Sequence, residues 1–266
     1  MHYIGMKILN LYTSELYNSR NVLFQLVTQQ LILRYRRTAL GYLWTLINPL
    51  LMMSVMAVVF SSLFKADLRS FTIFLFAGMI PWNFFNSVVT QSCSAYINNE
   101  GLIKKIYLPK IVFPLSIALS VLIDSILSFL TLLLIIFSLG GTFSWALMFL
   151  PVSFFLLFVF ALGAGLVMSI ATVFFRDLQH IVLVVMQGLF FLTPILYKND
   201  SLNGKVAWLV DLNPVTPFIA LFRSPLVDAE IPDCSIVLQT ITIAVMAILL
   251  GVAIFNRQQK KIVFRL

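Results

Sequence analysis

Charge is scarce in this chain, and its absence comes in blocks. Charged residues make up 11% of the 266 positions, against about 25% in an ordinary soluble domain. Four stretches, 38–64, 70–99, 125–175 and 234–256, contain none at all. An apolar helix of roughly 20 residues matches the ~30 Å hydrocarbon core of a bilayer. A soluble catalytic fold is thereby excluded as the main body of the chain, which reads as a polytopic membrane protein. Histidine is nearly missing, with only His2 and His180; no His-Glu-x-x-His site occurs, and no Ser/His/Asp set stands in a plausible arrangement. There is no Gly-x4-Gly-Lys-Ser/Thr phosphate loop and no Gly-x-Gly-x-x-Gly turn. Intrinsic nucleotide hydrolysis is therefore not expected, and any work done must draw on an ion gradient or a partner. The ten acidic residues are scattered, with no Asp-x-x-x-Asp pair to hold Mg²⁺ and a diphosphate. That argues against a membrane-bound polyprenyl transferase. Cys93 and Cys234 are the only cysteines. They fall near opposite faces of the expected topology, so two unpaired thiols are expected rather than a disulfide or metal site.

What is present is hydrophobic: 61% of residues, with a mean hydropathy of +1.00. Six spans are expected near 43–64, 71–94, 111–139, 145–175, 180–197 and 236–256, in a single membrane domain covering 1–266. Residues 1–40 and 257–266 would lie outside that six-span core. The N-terminal segment lacks the apolar core of a signal peptide, so insertion would rely on the first span. Gly140-Gly141-Thr142 is a turn signal joining the third and fourth spans as an antiparallel hairpin.

The net charge is +8, and its placement decides its meaning. Thirteen Lys and Arg lie on one side of the expected spans and five on the other. The positive-inside rule puts both termini in the cytoplasm, as an even span count requires. No basic stripe interleaved with exposed aromatics suggests nucleic acid.

Two segments are not spans. Over 22–37, Leu23, Val27, Leu31 and Tyr35 recur every fourth residue opposite Gln25, Gln29, Arg36 and Arg37. This predicts an amphipathic helix at the cytoplasmic interface, or alternatively one packed on protein. The segment 199–233 is too charged to span and is punctuated by Pro214, Pro217, Pro225 and Pro232. Its stretches 206–210 and 215–222 suit short external re-entrant helices, tolerated at membrane depth only when shielded by protein or facing water. An ordinary external loop is the alternative.

Few side chains inside the spans carry chemistry. Asp124 is the one deep acidic residue, near Ser120, Ser125 and Ser128. It is either a functional group, as in a gradient-driven carrier, or a hydrogen-bonded packing residue. Ala161, Gly165 and Ser169 recur every fourth residue with Gly163 and Ala164 between, a pattern for close helix packing within the chain or in a dimer. In the loop 98–114, Glu100 and Lys104 at i,i+4 support a short helix that Pro109 would end. Mixed basic and apolar in character, it is a handle for a soluble partner, or else a solvated basic loop.

The residues resemble the permease subunits of ABC transporters that export bacterial surface polysaccharides, the O-antigen, capsule and teichoic-acid exporters. The first matching stretch runs from Arg34 to Pro49 with its Leu-Gly-x-Leu-Trp and Asn-Pro; the second is Gly78-Met-Ile-Pro-Trp-Asn-Phe-Phe85. The third lies in 99–114, the fourth is Phe175-Arg-Asp-Leu178 leading to Phe191-Leu-Thr-Pro-Ile-Leu-Tyr197, and the fifth is Leu212-Asn-Pro-Val-Thr-Pro217 followed by Arg223.

The resemblance implies an all-α, six-span subunit of the bacterial inner membrane that pairs with a second copy of itself and with two copies of a separate ATPase. That ATPase would bind the ATP and Mg²⁺, leaving no cofactor in this chain. The implied cargo is a polysaccharide on a polyprenyl diphosphate, with O-antigen first and another ABC cargo (teichoic acid, capsule, lipid or drug) as the alternative. It further implies an ATPase-coupling segment in Asn99, Glu100, Leu102, Ile103, Lys104, Lys105 and Tyr107, with a second contact at Arg176 and Asp177. Arg34, Arg36 and Arg37 are candidates for attracting the carrier diphosphate, or plain membrane anchors. Trp44, Trp82, Phe84, Phe85, Phe190, Phe191 and Tyr197 are candidates for stacking on sugars along the path, or packing residues.

Overall fold

The computed structural model describes residues 18–34, 38, 40–138, 144–198 and 204–266. It is all-helical among these residues. In chain order the helices are α1 (Arg20–Arg34), α2 (Trp44–Phe64), α3 (Leu68–Ser92), α4 (Glu100–Lys105), α5 (Val112–Ser138), α6 (Leu150–Phe174), α7 (Leu178–Leu192), α8 (Lys205–Leu212), α9 (Thr216–Arg223) and α10 (Cys234–Arg265). A 3-10 turn over Gly41–Leu43 leads into α2, and another over Trp145–Phe149 leads into α6.

Five of these segments are long and apolar enough to cross a membrane: Gly41–Phe64, Leu68–Ser92, Val112–Phe137, Trp145–Phe174 and Cys234–Arg265. The fifth expected span is shorter than the sequence suggests. α7 has 15 residues and stops at Leu192 rather than Tyr197, because Pro194 disfavours the helical conformation at Thr193 before it. α10 is longer than expected, running 32 residues to Arg265 with no break at Asn256. At 1.5 Å per residue it is ~48 Å long, well beyond the ~30 Å of hydrocarbon. The Gly140-Gly141-Thr142 turn lies outside the described residues.

The connections show why neighbouring helices pair. α2 ends in a left-handed Lys65 (φ 51°) with Ala66 N–H donating to the Ser61 carbonyl at 3.0 Å, a Schellman-type stop. Asp67 then caps α3, accepting from Ser70 N–H and Ser70 Oγ at 2.9 Å each. These hydrogen bonds hold the Asp67 carboxyl below its ordinary range. A three-residue link, Lys65 to Asp67, thus makes α2 and α3 an antiparallel hairpin.

α3 is the central helix, packed against α2, α5, α6 and α9, and fifteen of its residues are buried. α6 and α10 form the most extensive helix pair. Their backbones approach closely enough that a Cβ on Gly163 would sit 2.5 Å from the Ala247 carbonyl carbon. On another face of α6, a Cβ on Gly165 would meet Ser92 Oγ of α3 at 2.7 Å. The small residues of this helix are therefore used for packing inside the chain.

α9 is driven into the bundle between α3, α6 and α10, burying Pro217, Phe218, Ile219, Leu221 and Phe222. Phe218 stacks on Phe160 at 4.7 Å. Phe160 is ten residues beyond Leu150, so α9 reaches ~15 Å along α6 at the rise of an α-helix. α8 and α9 occupy the two stretches expected as short helices in 199–233.

Candidate functional site

Residues of α1, α2, α3 and α5 line an open cavity of ≈ 320 Å³, with Met52, Met53, Met79, Ile80 and Val121 as its apolar wall. Asn48, Asn83, Ser87, Ser125 and Ser128 line it, and Arg34 and Asp124 face each other within it. Arg34 Nη1 donates to Asp124 Oδ2 in an ion pair, and Nη2 donates to Gln91 Oε1 at 3.2 Å. Tyr42 Oη donates to the other carboxylate oxygen at 2.5 Å. One turn earlier, Gln30 Nε2 donates to Ser116 Oγ at 3.0 Å while its Oε1 accepts from Ser120 Oγ at 2.8 Å. Ser116, Ser120, Asp124 and Ser128 are four residues apart and form one stripe on α5. Gln30 and Arg34 form the matching edge of α1. The two helices therefore run side by side in the same direction.

In the structure Asp124 is a paired, hydrogen-bonded side chain. It lies twelve residues into α5, ~18 Å along that helix. Removing one partner of so deep a pair strands the other charge and costs roughly 3–5 kcal/mol. Arg34 leaves Asp124 cheaply only when another anion replaces the carboxylate. Arg36 and Arg37 lie outside the described residues.

α1 buries Leu26 and Val27 and leaves Phe24, Ile32 and Leu33 exposed.

The seven aromatic candidates separate into distinct environments. Trp82 packs edge-on against Phe190 at 5.7 Å, and Phe190 against Phe191 at 5.3 Å. With Asn86 and Gln187 these three line a groove of ≈ 240 Å³ between α3 and α7. Phe191 is 68% exposed. Aromatic faces beside two amides suit a sugar, whose C–H face stacks while its hydroxyls find donors and acceptors. Phe84 is fully buried in the core, and Phe85 stacks on Phe160 at 4.8 Å. Trp44 is exposed at the start of α2. Tyr197 lines a separate hollow with Phe64, Phe71 and Phe74, its hydroxyl donating to the Phe191 carbonyl at 2.9 Å.

The segment expected to meet a partner forms α4, six residues long. It ends at Lys105 rather than continuing toward Pro109, because Ile106 turns extended. Lys104 Nζ donates to Glu100 Oε1 at 2.5 Å. This bond, the Lys104 charge and the nearby Arg176 charge hold the Glu100 carboxyl below its usual range. Arg176, at the α6–α7 corner, is near enough for its charge to act on Glu100, and Arg176 and Asp177 are both exposed. Asn99 Nδ2 donates to the Ala95 carbonyl at 2.8 Å. Ile103 is buried, Leu102 half-buried, Lys104 and Lys105 exposed, and Tyr107 is 89% exposed. Lys110 Nζ donates to the Gln259 carbonyl at 2.8 Å, tying this loop to α10. Burial lowers the Lys110 pKa.

At the other end of the bundle, three motifs distant in sequence converge. Asn213 Nδ2 donates to Thr193 Oγ1 at 2.8 Å, and Asn213 Oδ1 accepts from Val215 N–H at 3.0 Å. Arg223 Nη2 donates to the Ile195 carbonyl at 2.7 Å, and its guanidinium lies 3.7 Å from the Phe74 ring centroid. Gly78 makes room for it: a Cβ there would sit 3.0 Å from Arg223 Nη2.

Sequence reasoning missed Asn48, Asn83, Ser87, Gln30, Tyr42 and Gln91 as members of the polar cavity or its latch. A signal existed in the four-residue spacing of polar side chains on two apolar helices, at 83 and 87 and at 116, 120, 124 and 128.

The sequence profile of the ABC-2 type transporter family matches residues 21–227. An O-antigen export system permease protein RfbA of Myxococcus xanthus is 29% identical over 249 residues, covering 93% of this chain and 96% of its own length. Its namesake in Klebsiella pneumoniae is 29% identical over 242 residues, covering 89% and 92%. A polysialic acid transport protein KpsM of Escherichia coli is 21% identical over 230 residues, covering 85% and 89%.

Proposed function

Because the chain belongs to the ABC-2 type transporter family, we propose that it is the transmembrane subunit of an ATP-driven exporter. Its cargo is a polysaccharide carried on a polyprenyl diphosphate, with O-antigen the first choice, moved across the bacterial inner membrane. The observation that carries this reading is the end-to-end similarity to permeases named for O-antigen export. A chain with no phosphate loop of its own is consistent with it. ATP and Mg²⁺ belong to a separate ATPase, present in two copies against two copies of this chain.

Six spans place both termini in the cytoplasm, with α7 as the short fifth crossing and α8–α9 as re-entrant helices of the external half. The depth of Phe218 against Phe160 supports that placement of α9. α4 is the coupling helix. Lys104, Lys105 and Tyr107 face the ATPase, Asn99 and Glu100 hold the helix start, and Leu102 and Ile103 seat it on the bundle, with Arg176 and Asp177 as the second contact. A nucleotide drives transport only through contacts that differ between two states of the transporter, so α4 must be held differently when the ATPases close. Sugars pass along aromatic surfaces, of which the Trp82, Phe190 and Phe191 groove is the best suited. Arg34, with Arg36 and Arg37, attracts the carrier diphosphate at the cytoplasmic side.

The test is purification of the tagged chain in mild detergent, with identification of co-purifying proteins and lipids by mass spectrometry. A stoichiometric ATPase and an attached polyprenyl glycan are expected. A chain that purifies alone, and exports no glycan when expressed with its neighbouring ATPase, overturns the proposal. A gradient-driven carrier using Asp124 is the weaker reading, since that carboxylate is already engaged by Arg34 and Tyr42.

A further inference from the structure

The polar cavity has an apolar neighbour. Leu31 and Ile32 of α1, Gly41 and Tyr42, and Ile123 and Leu127 of α5 line a groove of ≈ 500 Å³. Tyr42 joins the two spaces: its ring is part of the groove wall, and its hydroxyl reaches Asp124 in the cavity. Ile123 lines one space and Asp124, the next residue, lines the other. A pocket in which a charged pair, amides and hydroxyls stand among Met52, Met53, Met79, Ile80 and Val121 thus lies beside a hydrocarbon-lined groove, with Tyr42 reaching both. That pairing matches an amphiphile with a phosphate head and a long apolar chain.

We propose that this composite space is the docking site of a polyprenyl diphosphate. The diphosphate takes the Arg34 guanidinium from Asp124, and the first part of the chain lies against Leu31, Ile123 and Leu127. The inference rests on the export reading for the identity of its ligand and adds where head and tail bind and what they displace. A guanidinium offers two parallel N–H donors to phosphate as it does to carboxylate, so the exchange replaces one charge-assisted contact by another. Asn48, Asn83, Ser87 and Ser125 already face the cavity and supply further donors. The released Asp124 keeps the Tyr42 hydroxyl as a donor, which offsets part of the cost of losing Arg34. Because Arg34 is the last residue of α1 and Asp124 is in α5, the exchange unlatches the end of α1 from the bundle. Gln30 continues to hold the preceding turn through Ser116 and Ser120. Without ligand the ion pair occupies the Arg34 guanidinium, and only an anion that reaches Arg34 displaces Asp124 from it.

The test uses the full chain in nanodiscs and the binding of radiolabelled polyprenyl diphosphate, with inorganic pyrophosphate and phosphatidylglycerol as competitors. Arg34→Gln should weaken binding by about tenfold or more, the usual loss of a charge-assisted hydrogen bond. Asp124→Asn, which removes the competing anion, should tighten binding by roughly threefold or more on the same scale. Leu127→Trp, which fills the groove, should weaken binding of the lipid while leaving competition by pyrophosphate unchanged. A structural role for the ion pair predicts that Asp124→Asn weakens or leaves binding unchanged, and that result overturns the proposal. So does Arg34→Gln binding like the wild type. Equal competition by phosphatidylglycerol assigns the site to bulk phospholipid and overturns the cargo assignment. Because the assay needs neither ATPase nor export, its failure leaves the export reading standing if the ATPase still co-purifies.

Discussion

Gly163 and Gly251 face one another where α6 crosses α10. A Cβ on Gly251 would lie 2.7 Å from the Gly163 carbonyl oxygen, a separation at which backbone must move. In a bilayer, lipid is as apolar as leucine, so helices are held by close van der Waals approach rather than by hydrophobic exclusion. The two glycines are the means of that approach for the largest helix pair of the fold.

Gly251→Ala should therefore lower thermal stability in detergent by the overpacking cost of about 1–3 kcal/mol. Gly188→Ala, where an added Cβ meets nothing within 4 Å, serves as the control and should leave the melting temperature unchanged or raised.

Asn213→Ala removes the side chain that joins the α8–α9 corner to Thr193 and satisfies Val215 N–H. Leaving buried polar groups unpaired costs roughly 1–3 kcal/mol. The expected readout is faster proteolysis around the α8–α9 corner with α2 and α3 still protected.

Replacing Lys104 and Lys105 together by Glu reverses the exposed charge of α4. Loss of export with normal membrane insertion is the expected outcome, read as surface polysaccharide against permease abundance on blots. Normal export in this variant would sink the coupling assignment.

Trp82→Ala opens the groove shared with Phe190 and Phe191, and Trp44→Ala removes the exposed aromatic at the start of α2. Trp44→Ala should reduce export more than abundance; Trp82 is itself buried, so Trp82→Ala should lower abundance as well, with a further loss of export per molecule. Phe84→Ala, in the packed core, should reduce abundance first, by the roughly 3–5 kcal/mol of a large cavity. Equal losses of export and abundance in Trp82→Ala and Phe84→Ala would favour packing for all of the aromatics.

Much of the helical framework is legible in the sequence because a bilayer allows few solutions. Long apolar runs mark α2, α3, α5 and α6 to within a few residues. The two misjudged ends have simple causes. The apolar run through Tyr197 reads as continuous span, but Pro194 breaks the helix inside it. At Arg257 hydropathy falls while Arg, Gln and Lys remain good helix formers, so α10 continues where an apolar pattern ends. Glu100 and Lys104 were readable as a pair because helical spacing alone brings them together.

The sequence by itself determined that this chain is an all-helical membrane protein, where its apolar helices lie, and which family it belongs to. The first two depend on composition and local spacing, and the third on motifs matched in order along the chain. Only the tertiary structure decided that Asp124 is paired with Arg34, that Trp82 and Phe190 share a groove while Phe84 is core, and that Gly78 houses Arg223. Lipid-facing and core-facing positions of a membrane helix are equally apolar, so hydropathy carries no record of which side faces which. Contacts between residues ninety positions apart are set by how the helices pack, and packing is the level at which this protein's polar groups find their partners.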